Sequence, residues 1–264
     1  MSKKALLVIS FGTSYNATRE KTIGAIERDL QESYPDRDFY RAFTSRMIIK
    51  KLKERDGEAI DTPLEAIQKL KDAGYDDVVC QTTHVINGYE YDLTISELKQ
   101  YCNDFKSLTI GFPLLSSTED YHQVVEVLEE IIPDLKEGEA YVFMGHGSDH
   151  HANATYPALD FQFKHTGYED VYMATVEGFP ELSHIFPKLH EKKYTKVYLA
   201  PFMVVAGDHA INDMAGDDED SWKNVFVKNG FEVECVLKGL GQYEGIRKIF
   251  VEHCHNGKQV CELL

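Results

Sequence analysis

No apolar run in the chain comes near the ~18 residues that a membrane-spanning helix needs, and the sequence therefore predicts no membrane span. Cysteine spacing is equally uninformative for metal or redox motifs. Cys80, Cys102, Cys235, Cys254 and Cys261 are scattered, with no Cys-x-x-Cys pair. An odd, scattered set in an intracellular chain reads as free thiols, mostly buried. Basic charge is scarce. Lys and Arg number 28 against 44 Asp and Glu, for a net charge of −16. A general nucleic-acid binder would need a basic face, so no nucleic-acid partner is expected. An anionic small substrate also fits poorly, unless bases gather at one mouth. The chain lacks Gly-x-Gly-x-x-Gly and the P-loop lysine, which leaves nucleotide binding without support. Gly-x-Ser-x-Gly is absent too, which does the same for a serine hydrolase. The N-terminus has two lysines and a short apolar stretch, without the longer stretch and small-residue cleavage site of a signal peptide. Residues 5–10 read instead as a first core strand, and a cytoplasmic protein is expected.

What is present points to an α/β protein. The 264 residues are 43% hydrophobic and 27% charged, as in globular domains, and suffice for two domains or one large α/β unit. Strands and helices alternate throughout. Residues 4–10 read as strand one, 38–44 as strand two, 78–82 as strand three and 108–111 as strand four. Helices are expected over 16–32, after Ser45 and after Asp61-Thr62-Pro63, where proline sits in a first turn and Gly74 follows the end. A further helix starts at Thr118 and stops before Pro133. The polar stretch 134–139 is the expected boundary, giving lobes 1–133 and 134–264. The second lobe repeats the plan, with strands near 140–144, 170–176, 196–201 and 231–236 and helices over 217–229 and 243–253.

The halves also match in detail. Residues 38–45 align with 170–177, 10–13 with 145–148, and 85–90 with 204–209. The pairing sets Phe11 against His146, Ser45 against Glu177 and Glu90 against His209. A duplicated α/β domain follows: two similar lobes, each a four-stranded parallel sheet flanked by helices, facing one another across a cleft. In open α/β sheets ligands bind beyond the carboxyl ends of strands. His146, Glu177 and His209 follow three such ends in one half, and two imidazoles with a carboxylate suit a divalent transition metal. Glu90 alone would be an ordinary acidic first-turn residue, favoured by the helix dipole; the pairing with His209 raises it to a site residue. His84 reads as a hydrogen-bonded core histidine or a site residue. His150-His151 reads as an exposed loop pair, and His253-Cys254-His255 as a metal-like motif whose place at a helix end speaks against a functional role. Phe11-Gly12-Thr13-Ser14 opens a helix whose N–H groups would hold a carboxylate.

With those residues in hand, the sequence resembles the anaerobic cobalt chelatases of cobalamin biosynthesis, class II chelatases related in fold to ferrochelatase. The resemblance covers nearly the whole chain. It is carried by LLVISFGTS (6–14), RAFTSRMIIKKL (41–52), HVINGYEY (84–91), PLLSS (113–117), VFMGHGSDHHA (142–152) and VAGDHAINDMAGDDEDSWK (205–223). It implies a ferrochelatase-like active site between two lobes. It also implies insertion of Co²⁺, as substrate metal and without a nucleotide, into sirohydrochlorin or precorrin-2. The family's metal ligands fall on His146, Glu177 and His209 and its further active-site glutamate on Glu90. His146 and Glu90 are thus the expected catalytic pair, and Phe11, Gly12, Thr13, Arg46 and His84 the expected tetrapyrrole contacts. A homo-oligomer is possible in such a family.

The residues fit that chemistry. Metal entry expels pyrrole N–H protons, and histidine is a natural base near neutral pH. Arg19, Lys21, Arg41, Arg46, Lys50 and Lys51 cluster near the ends of strands one and two and are candidate partners for substrate carboxylates. The same donor set also suits Ni²⁺ and Zn²⁺, so iron or nickel insertion is the nearest rival. A metal-dependent hydrolase and a non-enzymatic metal or tetrapyrrole carrier are the others.

Overall fold

The computed structural model describes residues 2–263. The chain opens with β1 (Lys4–Ser10), α1 (Asn16–Lys21), α2 (Ile23–Ser33), β2 (Asp38–Phe43), α3 (Arg46–Asp56), α4 (Pro63–Asp72), β3 (Asp77–Thr82), α5 (Tyr89–Lys99) and β4 (Ser107–Gly111). It continues through α6 (Thr118–Glu129), β5 (Glu139–Gly145), α7 (Thr155–His165), β6 (Val171–Thr175), α8 (Leu182–Glu191), β7 (Lys196–Pro201), α9 (Trp222–Lys228) and β8 (Glu232–Cys235). It ends in α10 (Glu244–His255) and β9 (Lys258–Gln259). No helix among the described residues is long and apolar enough to cross a membrane.

Two compact units result. The first comprises residues 1–116 and 244–264, the second residues 117–243. This differs from a cut at 133/134. Helix α6 packs on α7 of the second unit, while α10 returns to pack on α2 of the first. The reason is apolar periodicity. Ile246, Ile249, Phe250 and Cys254 form one buried stripe on α10, and a stripe with that spacing must be covered. A polar linker marks where the chain is exposed, not which core its flanking helices join.

In the first unit β1 is central, and residues 5–9 are fully buried. Alternate side chains point to opposite faces. Ala5, Leu7 and Ile9 meet Ile67 and Leu70 of α4 and Ile95 and Leu98 of α5. Helices α2 and α10 cover the other face. The sheet order is β2-β1-β3-β4-β9. The four long strands are parallel, as expected, but β9 adds a short antiparallel edge to β4. That pairing brings the C-terminal segment to α5, just beyond whose end Cys102 is joined to Cys261 as a disulfide. The expectation of free thiols throughout is thereby corrected. Their 159-residue separation hides the pairing from any spacing rule. Cys80 and Cys254 are free and buried, and Cys235 is free and half-buried.

The second unit has the order β6-β5-β7-β8, all parallel. Ala140, Val142 and Met144 of β5 face Ile185 and Leu189 of α8 and Trp222 and Phe226 of α9. On the other face Phe143 stacks on Phe163 of α7 with ring centroids 5.7 Å apart. Local departures from expectation have local causes. The helix expected over 16–32 breaks at Thr22 (φ −117°, ψ −85°), whose hydroxyl donates to the Thr18 carbonyl instead. The helix expected from Asp217 starts only at Trp222, where the Ser221 side chain accepts from the Asn224 N–H.

Candidate metal centre

The four parallel strands follow the same order in the two units, and the offsets of the paired residues are the same too. Phe11 and His146 each directly follow their strands β1 and β5. Ser45 and Glu177 each lie two residues beyond β2 and β6. Glu90 and His209 each lie eight residues beyond β3 and β7. Backbone hydrogen bonds repeat as well. Ser45 N–H donates to the Phe11 carbonyl (3.2 Å) and Glu177 N–H to the His146 carbonyl (2.8 Å). Thr83 N–H donates to Ile9 (2.9 Å) and Phe202 N–H to Met144 (2.7 Å).

His146 is held by the loop that leaves β5. A side chain on Gly145 would meet the Tyr156 ring at 2.5 Å, so glycine there admits the ring. Tyr156 is buried. Burial pushes that phenol up to about 12, so it stays neutral. Gly147 has φ +85°, and a Cβ there would lie 2.6 Å from the Gly178 nitrogen. Both facts call for glycine. Asn153 ties the two loops together. Its Oδ1 accepts from Ser148 N–H (3.0 Å) and its Nδ2 donates to the Phe179 carbonyl (2.7 Å). The outcome is His146 Nδ1 4.0 Å from Glu177 Oε2.

His209 opens a single π-helical turn, His209–Met214. Its ring stands edge-on to His146, with centroids 4.8 Å apart and planes at 89°. Its Nδ1 is 2.5 Å from Asp213 Oδ2. His146 Nδ1 is 2.9 Å from the Gly147 carbonyl oxygen. Carbonyl and carboxylate oxygens only accept, so each Nδ1 carries the proton and each Nε2 is the basic nitrogen. Among the described residues no three His, Cys, Asp or Glu side chains already form a closed ligand set. His146 has both partners near it. The open member is Glu177, whose side chain is 61% exposed.

The corresponding ends of the first unit carry the other expected residues. Phe11 is half-exposed, whereas Gly12 and Thr13 are buried. Gly12 has φ +95°, and a Cβ there would overlap the Phe43 ring. Thr13 Oγ1 accepts from the Tyr15 N–H (3.2 Å), so this hydroxyl closes the turn before α1. Arg46 is exposed at the start of α3, behind the Ser45 cap. His84 Nδ1 is bonded to the Thr82 hydroxyl. Its Nε2 is buried without a partner, and burial pulls the imidazole down to about 4, so it is neutral at physiological pH. Glu90, in the first turn of α5, has a buried Oε2 that also lacks a partner.

Several expectations are corrected here. Arg19 pairs with Glu58 (2.8 Å), and Arg41 forms a two-pronged pair with the buried Glu27. The Arg41 guanidinium serves the fold, because removing it would strand the buried Glu27 carboxylate, and Arg19 and Glu58 form a partly exposed pair. Lys21, Arg46, Lys50 and Lys51 are the exposed members of that basic group. His150 is buried, not exposed. Its Nδ1 accepts from Ala152 N–H (3.1 Å) and its ring lies 4.0 Å from that of His151. The His253-Cys254-His255 segment, by contrast, is spent on packing, as its place at a helix end led one to expect. His253 Nδ1 bonds the Phe112 carbonyl (3.1 Å), Cys254 is buried, and His255 stands edge-on to Tyr34. Asp213 was not foreseen, although His-x-x-x-Asp spacing sets two side chains on one helical face.

Known proteins resemble this chain in sequence and in fold. The sequence model of the family described as Cobalt chelatase (CbiK) matches residues 4–259. The chain is 51% identical over 253 residues to a sirohydrochlorin cobaltochelatase of Salmonella typhimurium, covering 96% of each chain. It is 33% identical over 256 residues to the sirohydrochlorin cobaltochelatase CbiKC of Nitratidesulfovibrio vulgaris, covering 96% of this chain and 90% of that one. Among solved structures, SirB from Bacillus subtilis with Fe³⁺ superposes with a TM-score of 0.63 at 12% identity, over 96% of this chain and 95% of that one. DR2241 from Deinococcus radiodurans gives 0.62 at 11% identity, over 98% of this chain and 56% of that one. At such identities the structural likeness speaks for the fold alone.

Proposed function

The chain belongs to the cobalt chelatase (CbiK) family, and from that premise we propose that it inserts Co²⁺ into sirohydrochlorin without a nucleotide, as a step of anaerobic cobalamin formation. The observation that carries the reading is the set of donors beyond the adjacent strands β6, β5 and β7, two imidazoles within ring-contact distance and a carboxylate beside one of them. In this reading Co²⁺ is a substrate, received by His146, Glu177 and His209. An open, partly exposed set serves a metal that must leave again. Imidazole and carboxylate donors bind Co²⁺ without the grip that thiolates have on soft metals. Glu90 takes up one of the two protons that the pyrrole nitrogens lose, and His146 Nε2 takes up the other once it has released the metal. Proton transfer by positioned groups of this kind contributes roughly 10²–10⁴-fold in rate. Phe11, Gly12, Thr13, Arg46 and His84 are the proposed contacts of the macrocycle, with the exposed Arg46 set against its carboxylates.

The test is anaerobic incubation of the purified protein with sirohydrochlorin and Co²⁺, followed by absorbance, with and without ATP. The expected result is metallation well above the enzyme-free rate and independent of ATP. A rate equal to the enzyme-free control, or a strict need for ATP, would overturn the reading. Fe²⁺, Ni²⁺ and Zn²⁺ run in parallel rank the metals, which the donor set by itself does not.

A further inference from the structure

We infer that Asp213 is a positioning residue that holds His209 as its Nδ1–H tautomer, so that Nε2 is the nitrogen offered to the incoming Co²⁺. The inference rests on His209 being a ligand, as proposed above. Asp213 Oδ2 lies 2.5 Å from His209 Nδ1. A carboxylate has no proton to give at neutral pH, so the ring nitrogen must donate. The partner of one imidazole nitrogen decides which nitrogen is left basic. An unconstrained imidazole in water prefers its proton on Nε2, the wrong nitrogen for this purpose, and a carboxylate on Nδ1 reverses that preference.

The backbone beneath the pair is braced. Ala210 and Met214 are fully buried in the second core and anchor the π turn. Asn212 Nδ2 donates to Asp208 Oδ1 (3.1 Å) across the same turn. Gly216 N–H donates to the Asn212 carbonyl (3.1 Å). A Cβ on Gly216 would sit 2.2 Å from that oxygen, so the turn closes this way only with glycine. Asp213 itself is not needed for packing, since its side chain is 45% exposed.

The two halves supply an internal comparison. Where the second unit has His209 and Asp213, the first has Glu90 and Thr94 at the same spacing. Thr94 is fully buried, and its hydroxyl donates to the Glu90 backbone carbonyl (2.8 Å). The carboxylate thus occurs in the half whose paired position is an imidazole. His146, the other imidazole, gets the same service from the Gly147 carbonyl.

The experiment compares wild type, His209→Ala, Asp213→Ala and the isosteric Asp213→Asn as metal-free proteins. Long-range ¹H–¹⁵N correlation reads the His209 tautomer, the resonance being identified by its loss in His209→Ala. Calorimetric titration with Co²⁺ is run on the same samples. Loss of an outer-shell partner costs about 10–100-fold in metal affinity, and Asp213→Ala is expected to weaken Co²⁺ binding by that factor and to shift His209 toward the Nε2–H form. Asp213→Asn keeps an accepting oxygen of the same size and is expected to fall between Asp213→Ala and wild type. Wild-type tautomer and affinity in both Asp213 variants, with affinity lost in His209→Ala, would overturn the orienting role alone. Wild-type affinity in His209→Ala would overturn the ligand assignment on which the inference stands.

Discussion

Glu90 and His209 stand at matching offsets beyond matching strands, yet their side chains suit different tasks. An imidazole with Nδ1 already bonded offers one nitrogen to a metal. A carboxylate oxygen buried without a hydrogen-bond partner still has its lone pairs to offer to a group that binds beside it. His209→Ala is accordingly expected to weaken Co²⁺ binding in the metal-free protein. Glu90→Ala is expected to leave that binding intact and to slow insertion, by about 10²-fold for a lost acid–base group. Calorimetry and turnover on the same samples check this. Equal loss of affinity in both variants would make Glu90 a ligand. The same logic separates the arginines. Arg41 is tied to Glu27 inside the first unit, while Arg46 stays exposed. Sequence position grouped them, and only their partners tell them apart.

At the level of elements, the site depends on how closely two loops approach. Gly147 sits at φ +85° with the Gly178 backbone 2.6 Å from where a Cβ would be. Gly57, at the end of α3, has φ +67° but open space around it. The pair isolates the cost of contact from that of conformation. Gly57→Ala is expected to cost about 1 kcal/mol, the price of a left-handed alanine. Gly147→Ala is expected to cost more than that, by pushing the His146 loop away from Glu177, and to lower Co²⁺ affinity as well. Urea unfolding with metal titration of both variants measures the difference. Equal destabilisation and unchanged metal binding in Gly147→Ala would mean that the loops do not need this approach.

For the whole molecule, the crossing of helices between sequence halves has a thermodynamic consequence. Ile246, Ile249 and Phe250 of α10 are buried in the first unit, and Arg247 pairs with Asp29 of α2 (2.7 Å). Each such side chain contributes about 2 kcal/mol through burial. Removing three approaches the ~5–15 kcal/mol that a domain has in total. A chain ending at Tyr243 is therefore expected to lose hydrogen-exchange protection in β1 to β4 while keeping it in β5 to β8. Exchange measured by mass spectrometry on the truncated chain tests this. Retained protection in β1 would show that α10 only decorates the first unit.

The alternation of elements, the strand cores and the repeat were legible in the sequence, because they are written in local periodicity. Residues such as 5–9 and 140–144 are apolar because both faces of a central parallel strand are covered. The places of His146, Glu177, His209 and Glu90 beyond their strands were legible for a related reason, since a repeat carries its strand-end offsets with it. Tertiary structure decided the rest. Which core α6 and α10 join, the edge strand β9, the Cys102–Cys261 pair and the Arg41–Glu27 pair all link residues far apart in the chain, and no periodicity encodes such partners. The Asp213–His209 contact lies only four residues apart, but its meaning depended on a π turn anchored by Ala210 and Met214 in a core built from elsewhere. A sequence names the side chains that repeat and bury; the packing of distant segments determines which polar atoms find partners and which are left to act.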